Sequence, residues 1–135
     1  YLALCPYDDT LTRFLLTGAQ LKHAFAGFMR PENCNGEGEY YQINRGVKAV
    51  YDRSRHELVS LTANGIPVDD ARTYSVCLQG YHYKNAHVGL QLTAEDLGRL
   101  EQPRLLATSC RDVVEEYLRN HQNVTARVEG RLTYL

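Results

Sequence analysis

The chain has 135 residues, 44% of them hydrophobic, and a net charge of −1, which is enough for one domain with a real core. That near-neutral balance excludes a broad basic surface for nucleic-acid backbone or anionic membrane, and no run reaches the length of a membrane-spanning helix. Ten Tyr against no Trp is an unusual aromatic set, and Tyr couples an apolar ring to a polar tip that suits strand surfaces and flat ligands alike.

The chain opens mid-pattern on Tyr1-Leu2-Ala3-Leu4, without an initiator Met or signal peptide, as expected of a fragment of a longer polypeptide. Pro6 to Thr10 is a turn or loop rich in residues that hydrogen-bond their own backbone. Leu11 to Leu16 predicts a short strand. Thr17-Gly18-Ala19-Gln20 has the form of a capping box, and Leu21, Ala24, Phe25 and Phe28 recur at helical spacing behind it. Pro31 ends that helix. Glu32 to Glu39 reads as a polar loop, in which Glu37 and Glu39 are solvated carboxylates rather than an acid/base pair.

Gly36 to Tyr51 reads as a strand, a kink at Asn44-Arg45-Gly46, and a second extended segment at the centre of a sheet. Val47, Ala49 and Tyr51 alternate with Lys48 and Val50, the pattern of a half-buried strand. Asp52 to Arg55 is a tight turn. Glu57 to Asn64 is the next strand, with Leu58, Ser60 and Thr62 on one face and Val59, Leu61 and Ala63 on the other. Asn64-Gly65 is a hairpin signal, and Thr73 to Leu78 favours a pleated surface. Gln79 to Gly89 reads as irregular. Thr93 to Asp96 starts a short helix, and Pro103 separates it from Leu105-Leu106. Ser109 caps a longer helix with Val113, Val114, Tyr117 and Leu118 on its inner face. Val124 to Tyr134 is extended, interrupted at Gly130. Strands and helices mix without regular βαβ alternation, so the fold class is α+β, a mixed sheet with packed helices, in one domain over residues 1–135.

Cys5, Cys34, Cys77 and Cys110 lie far apart, with no CxxC or Cys/His cluster of zinc-site form. Free thiols packed as small hydrophobes are one reading, and one or two disulfides in an exported protein are the other. His82 and His87 lack a third ligand at a recognisable spacing, which argues against a metal pair there. Asn123-Val124-Thr125 is a glycosylation sequon, relevant only in a eukaryotic secretory protein.

Taken together, Pro6-Tyr7, Leu16 to Leu21, Tyr41 to Val47, Tyr51-Asp52, Asn64 to Asp69, Thr73 to Val76 and Glu129 to Leu132 carry a resemblance along nearly the whole chain. Their order and spacing resemble the C-terminal domain of the 5′-nucleotidase / 2′,3′-cyclic-nucleotide phosphodiesterase family, in which a metallophosphoesterase domain is paired with a nucleotide-recognising one. The resemblance implies a parent that hydrolyses nucleotide phosphate esters, with two divalent metal ions and a His/Asp catalytic pair in its N-terminal domain. It implies that the present chain supplies nucleoside binding and no catalytic residue. The chain shows no Asp-x-His start, and Asn120-His121 is followed by Gln122, so it holds no two-metal motif and no cofactor of its own. The family's Asn-Gly-Gly-Gly-Ile-Arg segment would precede Tyr1, so the C-terminal domain lacks its front portion.

Tyr7 matches the family's first base-stacking aromatic. Asp9 matches a position at which relatives carry an Asn that touches the base. Ionised Asp only accepts, which favours bases that present N–H groups, such as guanine or the adenine amino group. An Asx-turn role competes with that reading. The family's second aromatic sits in a Gly-Gly-Asp-Gly-Phe/Tyr loop. Here the loop reads from Gln79 to Leu90, and the simplest alignment puts Leu90 at the aromatic position. Tyr81 and Tyr83, with His82 and His87, are the residues of that loop able to stack on a base or meet its edge. The expected partners are a nucleotide or nucleoside and the N-terminal metallophosphoesterase domain of the same polypeptide, with no nucleic acid and no membrane. The family resemblance implies a periplasmic, secreted or cell-surface location. The alternative is a non-catalytic structural or interaction module derived from the same domain, and a third reading keeps catalysis on a different phosphate ester.

Overall fold

A computed structural model describes residues 8–35 and 41–135. Within them the chain forms β1 (Leu11–Thr17), α1 (Gly18–Met29), α2 (Pro31–Asn35), β2 (Val47–Asp52), β3 (Glu57–Ala63), β4 (Ile66–Pro67), β5 (Thr73–Gln79), α3 (Gly80–Lys84), α4 (Ala86–Gly89), α5 (Ala94–Gly98), β6 (Arg104–Ala107), α6 (Cys110–Asn120) and β7 (Leu132–Tyr134). Two sheets result, one ordered β5-β1-β6 and the other β4-β3-β2-β7. The α+β class is as the sequence implies.

β1 alternates cleanly. Thr12, Phe14 and Leu16 are buried while the residues between them are half-buried, so one face of the strand enters the core. β1 pairs antiparallel with β5 along its whole length, Phe14 opposite Val76. The Thr17 capping box forms as expected, with Thr17 accepting from the Gln20 amide and the Gln20 side chain accepting from the Thr17 amide. Ala24, Phe25, Phe28 and Met29 then turn the buried face of α1 onto strands of both sheets.

β2 lies between β3 and β7, so the central position expected for this strand holds, with Ala49 and Tyr51 buried. Asp52 Oδ1 organises the following turn, accepting from the amides of Ser54 and Arg55. In the hairpin turn, Asn64 (φ 51°) and Gly65 (φ 79°) both take left-handed backbone angles, the form that matches strand twist.

Five expectations need correction. Glu32 to Asn35 is not loop, because Pro31 opens α2; a proline fits the first turn of a helix, where its missing N–H costs nothing. Residues 41–44 are not strand: the Ile43 carbonyl is taken by the Arg131 guanidinium instead of a sheet neighbour. Residues 36–40, with Glu37 and Glu39, lie outside the described residues. Leu58 and Leu61 do not face opposite ways. The register shifts between Val50 and Tyr51, so Leu58 opposes Tyr51 and Leu61 opposes Ala49, Val59 is the extra residue, and both leucines reach the core. Gln79 to Gly89 is not irregular, since α3 and α4 occupy most of it. From Val124 to Tyr134 only Leu132–Tyr134 is strand, paired parallel with β2.

A sixth departure concerns α6. Ser109 caps it as expected, accepting from the Asp112 amide. Its apolar face, however, is uncovered: Val113, Val114, Tyr117 and Leu118 are 42%, 39%, 53% and 41% exposed. Cys34, Cys77 and Cys110 are free thiols, and Cys5 lies outside the described residues.

Candidate functional site

Two of the segments singled out in the sequence meet in space. β1 brings residues 8–10 up to the point where β5 ends and α3 begins. The Gly80 amide donates to the Thr10 carbonyl at 2.8 Å. Gly80 is buried, and a Cβ built on it would lie 2.2 Å from Asp9 Oδ1 and 2.5 Å from Thr10 Oγ1. The missing side chain leaves room for the Asp9 and Thr10 side chains to lie against the Gly80 backbone. Asp9 is half-buried, and its Oδ1 accepts from the amide of the next residue, Thr10, at 2.7 Å. Tyr81, next after Gly80, is 50% exposed.

The aromatics of α3 divide by direction. Tyr83 turns inward onto Phe14, with centroids 5.8 Å apart. His82 packs on Tyr41 at 4.7 Å and meets Tyr81 edge-on at 5.4 Å. Tyr41 in turn sits on Phe28, so the chain His82-Tyr41-Phe28 roots α3 in the core. His87 is exposed on α4, and Leu90 is buried. Tyr7 lies outside the described residues. Asp9 and Tyr81 therefore flank one junction, while Tyr83 faces the core from it.

Asp8, not singled out in the sequence, holds the neighbouring element. Its Oδ2 accepts from Ser109 Oγ at 2.7 Å, and its Oδ1 accepts from the Arg111 amide at 3.1 Å. The Ser109 hydroxyl and then the Arg111 amide hold its carboxyl below the ordinary value of 3.8. The Asp9 carbonyl accepts from the Cys110 amide at 2.7 Å. The amino end of α6 is thus tied to the start of β1 beside the Asp9–Gly80 junction. No local signal announces this, since Asp8 and Ser109 are a hundred residues apart in the chain.

Arg45 and Gly46 belong to a different region. Gly46 takes a φ of 88°, and Arg45 reaches Glu129 at 3.8 Å, alongside Arg127 and Arg131. This is a brace between the C-terminal segment and the 41–46 stretch. Among the described residues no three His, Cys, Asp or Glu side chains gather into a metal-holding group. The described donor set therefore does not fit a pair of divalent ions.

A model of the 5′-nucleotidase C-terminal domain matches residues 1–95. The chain belongs to that family. Solved structures carry the same fold. This nucleotidase C-terminal domain is similar to a 5′-nucleotidase precursor from Thermus thermophilus (TM-score 0.81, 21% identity), covering 99% of this chain and 27% of that one. It is also similar to the NAD nucleotidase of Haemophilus influenzae (TM-score 0.76, 15% identity; 98% and 25% covered) and to a sulfate thiohydrolase of Thermus thermophilus (TM-score 0.63, 20% identity; 95% and 23% covered). The domain spans about a quarter of the length of each of these proteins. No curated protein sequence matches it. Among the described residues no helix is long and apolar enough to cross a membrane.

Proposed function

We propose that the chain is the nucleotide-recognising part of a metallophosphoesterase-type nucleotidase, and that it holds the nucleoside where residues 8–10 meet α3. The supporting observation is the junction itself. Two segments far apart in sequence, each carrying candidate base contacts, run side by side with Gly80 as the close-approach residue. In this reading Tyr7 stacks on the base, and Tyr81 offers a second ring from the other side of the junction. Asp9 accepts an N–H from the base edge. Tyr83, set on Phe14, is a positioning residue that fixes α3.

The chemistry in this proposal belongs to an N-terminal domain of the same polypeptide, whose two divalent ions would polarise the phosphate and supply the attacking hydroxide. This chain's own residues bind and orient the nucleoside and move no proton. Phosphate esters of nucleotides are the proposed substrates, with 2′,3′-cyclic nucleotides a further class. Export to the periplasm or cell surface is part of the same proposal, supported by the precursor form named for the Thermus protein.

The test uses the intact enzyme. Stacking on an aromatic ring is worth about 1–3 kcal/mol, so Tyr7→Ala should raise KM for nucleotides roughly 5- to 150-fold. Hydrolysis of p-nitrophenyl phosphate should continue unchanged. Equal nucleotide KM values for variant and wild type would remove Tyr7 from the site. The uncovered apolar face of α6 favours a second reading, an interaction module without nucleoside binding. That reading expects no common nucleoside to bind the intact protein in calorimetry.

A further inference from the structure

Residues 8–10 are held from two sides. On one side the Gly80 amide donates to the Thr10 carbonyl at 2.8 Å. On the other, the first turn of α6 binds Asp8 and Asp9 through side chain and main chain together. Asp8 Oδ2 accepts from Ser109 Oγ at 2.7 Å, and Asp8 Oδ1 accepts from the Arg111 amide at 3.1 Å and from the Cys110 thiol at 3.6 Å. The Cys110 amide donates to the Asp9 carbonyl at 2.7 Å. Ser109 Oγ also accepts from the Asp112 amide, so the hydroxyl that holds Asp8 is itself fixed by the helix it caps.

The two carboxylates differ in what they have left to offer. Asp8 Oδ1 takes a further bond, from the Asp9 amide at 2.9 Å, so that oxygen has no acceptor position to spare. Asp9 Oδ1 accepts from the Thr10 amide and hydroxyl, while Asp9 Oδ2 takes no hydrogen bond among the described residues. Asp8 is bonded as a strut, and Asp9 keeps an acceptor for a ligand.

The place of this strut in the chain gives it a consequence. Asp8 stands between Tyr7 and Asp9, the two residues assigned above to the base. The residues that hold it come from a distant part of the chain. The family model ends at residue 95, and Ser109, Cys110 and Arg111 all follow it.

We propose that Asp8 is a positioning residue for nucleotide discrimination: its carboxylate, clamped to the amino end of α6, sets the backbone between Tyr7 and Asp9 so that both reach one base. This inference rests on the nucleoside site proposed above. A backbone held before binding loses less freedom when the ligand arrives, and a binding group displaced by a fraction of its own size loses much of its effect.

Steady-state kinetics on the intact enzyme test it, with guanosine and adenosine 5′-monophosphates against p-nitrophenyl phosphate, which carries no nucleoside. Asp8→Ala should lower the ratio of nucleotide to p-nitrophenyl phosphate kcat/KM by about 10-fold, through a raised nucleotide KM. Asp8→Asn keeps one acceptor oxygen and should fall between Asp8→Ala and wild type. Thr17→Ala, which removes the cap of α1 at the far end of β1, controls for lost stability and should leave the ratio at its wild-type value. In a Tyr7→Ala, Asp9→Ala background, Asp8→Ala should move the ratio by less than about 2-fold, because the groups it positions are gone. A ratio unchanged in Asp8→Ala but lowered in Tyr7→Ala would overturn this inference and leave the nucleoside site standing. A ratio that Tyr7→Ala also leaves unchanged would remove the site, and this inference with it. An equal fall in Thr17→Ala would overturn the positioning role and assign Asp8 to stability alone.

Discussion

Adjacent aspartates take unlike tasks in this fold. Asp9 bonds locally, whereas Asp8 reaches across to Ser109 and Arg111 and fixes the amino end of α6. A carboxylate at that end also meets the positive pole of the helix. Because these bonds lower the carboxyl's folded-state pKa below 3.8, they stabilise the fold above that value. The contribution is lost as the pH falls through the lowered folded-state value. The protection of the α6 amides, measured against their intrinsic exchange rates, should therefore fall in acid, below about pH 4. In Asp8→Asn that protection should already be lower at pH 7, and its fall in acid should flatten. An unchanged acid limb in the variant would assign it to other carboxyls. None of this is legible in the sequence, because a bond between residues a hundred positions apart leaves no mark in either local stretch. The Asp52 turn is legible, since its partners stand two and three residues on.

Elements are readable to the extent that their signals are local and long enough to repeat. α1 carries its own cap and three turns of apolar spacing, and both appear as expected. Thr93 and Asp96 likewise form the capping box that opens α5, and Gln20 donates to Asp96 to join the two helices at their starts. Thr17→Ala should cost about 1 kcal/mol in urea unfolding, since it removes the acceptor for the Gln20 amide. α2, α3 and α4 span five, five and four residues, too short for a helical period to register. Pro31 compounds this by serving two helices, ending one and opening the next. The strand faces of β3 escape a simple alternation because one bulge residue, Val59, reverses the pattern beyond it.

The molecule as a whole combines a set of tightly enclosed side chains with an unfinished surface. Phe14, Leu16, Met29 and Leu92 are almost wholly enclosed, while the apolar face of α6 and Leu105 and Leu106 of β6 lie open. The two regions should respond differently to truncation. Phe14→Ala should destabilise the chain by roughly 3–5 kcal/mol, through lost burial and the cavity it leaves beside Tyr83. Tyr117→Ala should change stability by no more than about 0.5 kcal/mol. Paired urea titrations measure both, and a large loss for Tyr117→Ala would mean that α6 is covered in solution. Helical spacing marks the α6 face as apolar. It cannot show the absence of a neighbour, because packing partners are set by topology. The candidate site divides in the same way: the Asp9 and Tyr81 segments stand out in the sequence, but their meeting at Gly80 depends on the β1–β5 register.

The parallel pair of β2 and β7 sets an order in time. β2 is complete at Asp52, yet its second neighbour, Leu132–Tyr134, is the last regular element in these residues. During synthesis the β3–β2 hairpin can form early, but one flank of β2 waits until Leu132–Tyr134 has been made. At about 5–20 residues per second that wait lasts seconds, during which Ala49 and Tyr51 have an open side. Closure brings the Tyr134 ring edge-on to Tyr51 and places Arg53 over its face, 4.4 Å from the ring centre. The final strand thus acts as a late fastener, and a nascent chain stalled before it is the form most exposed to mispairing.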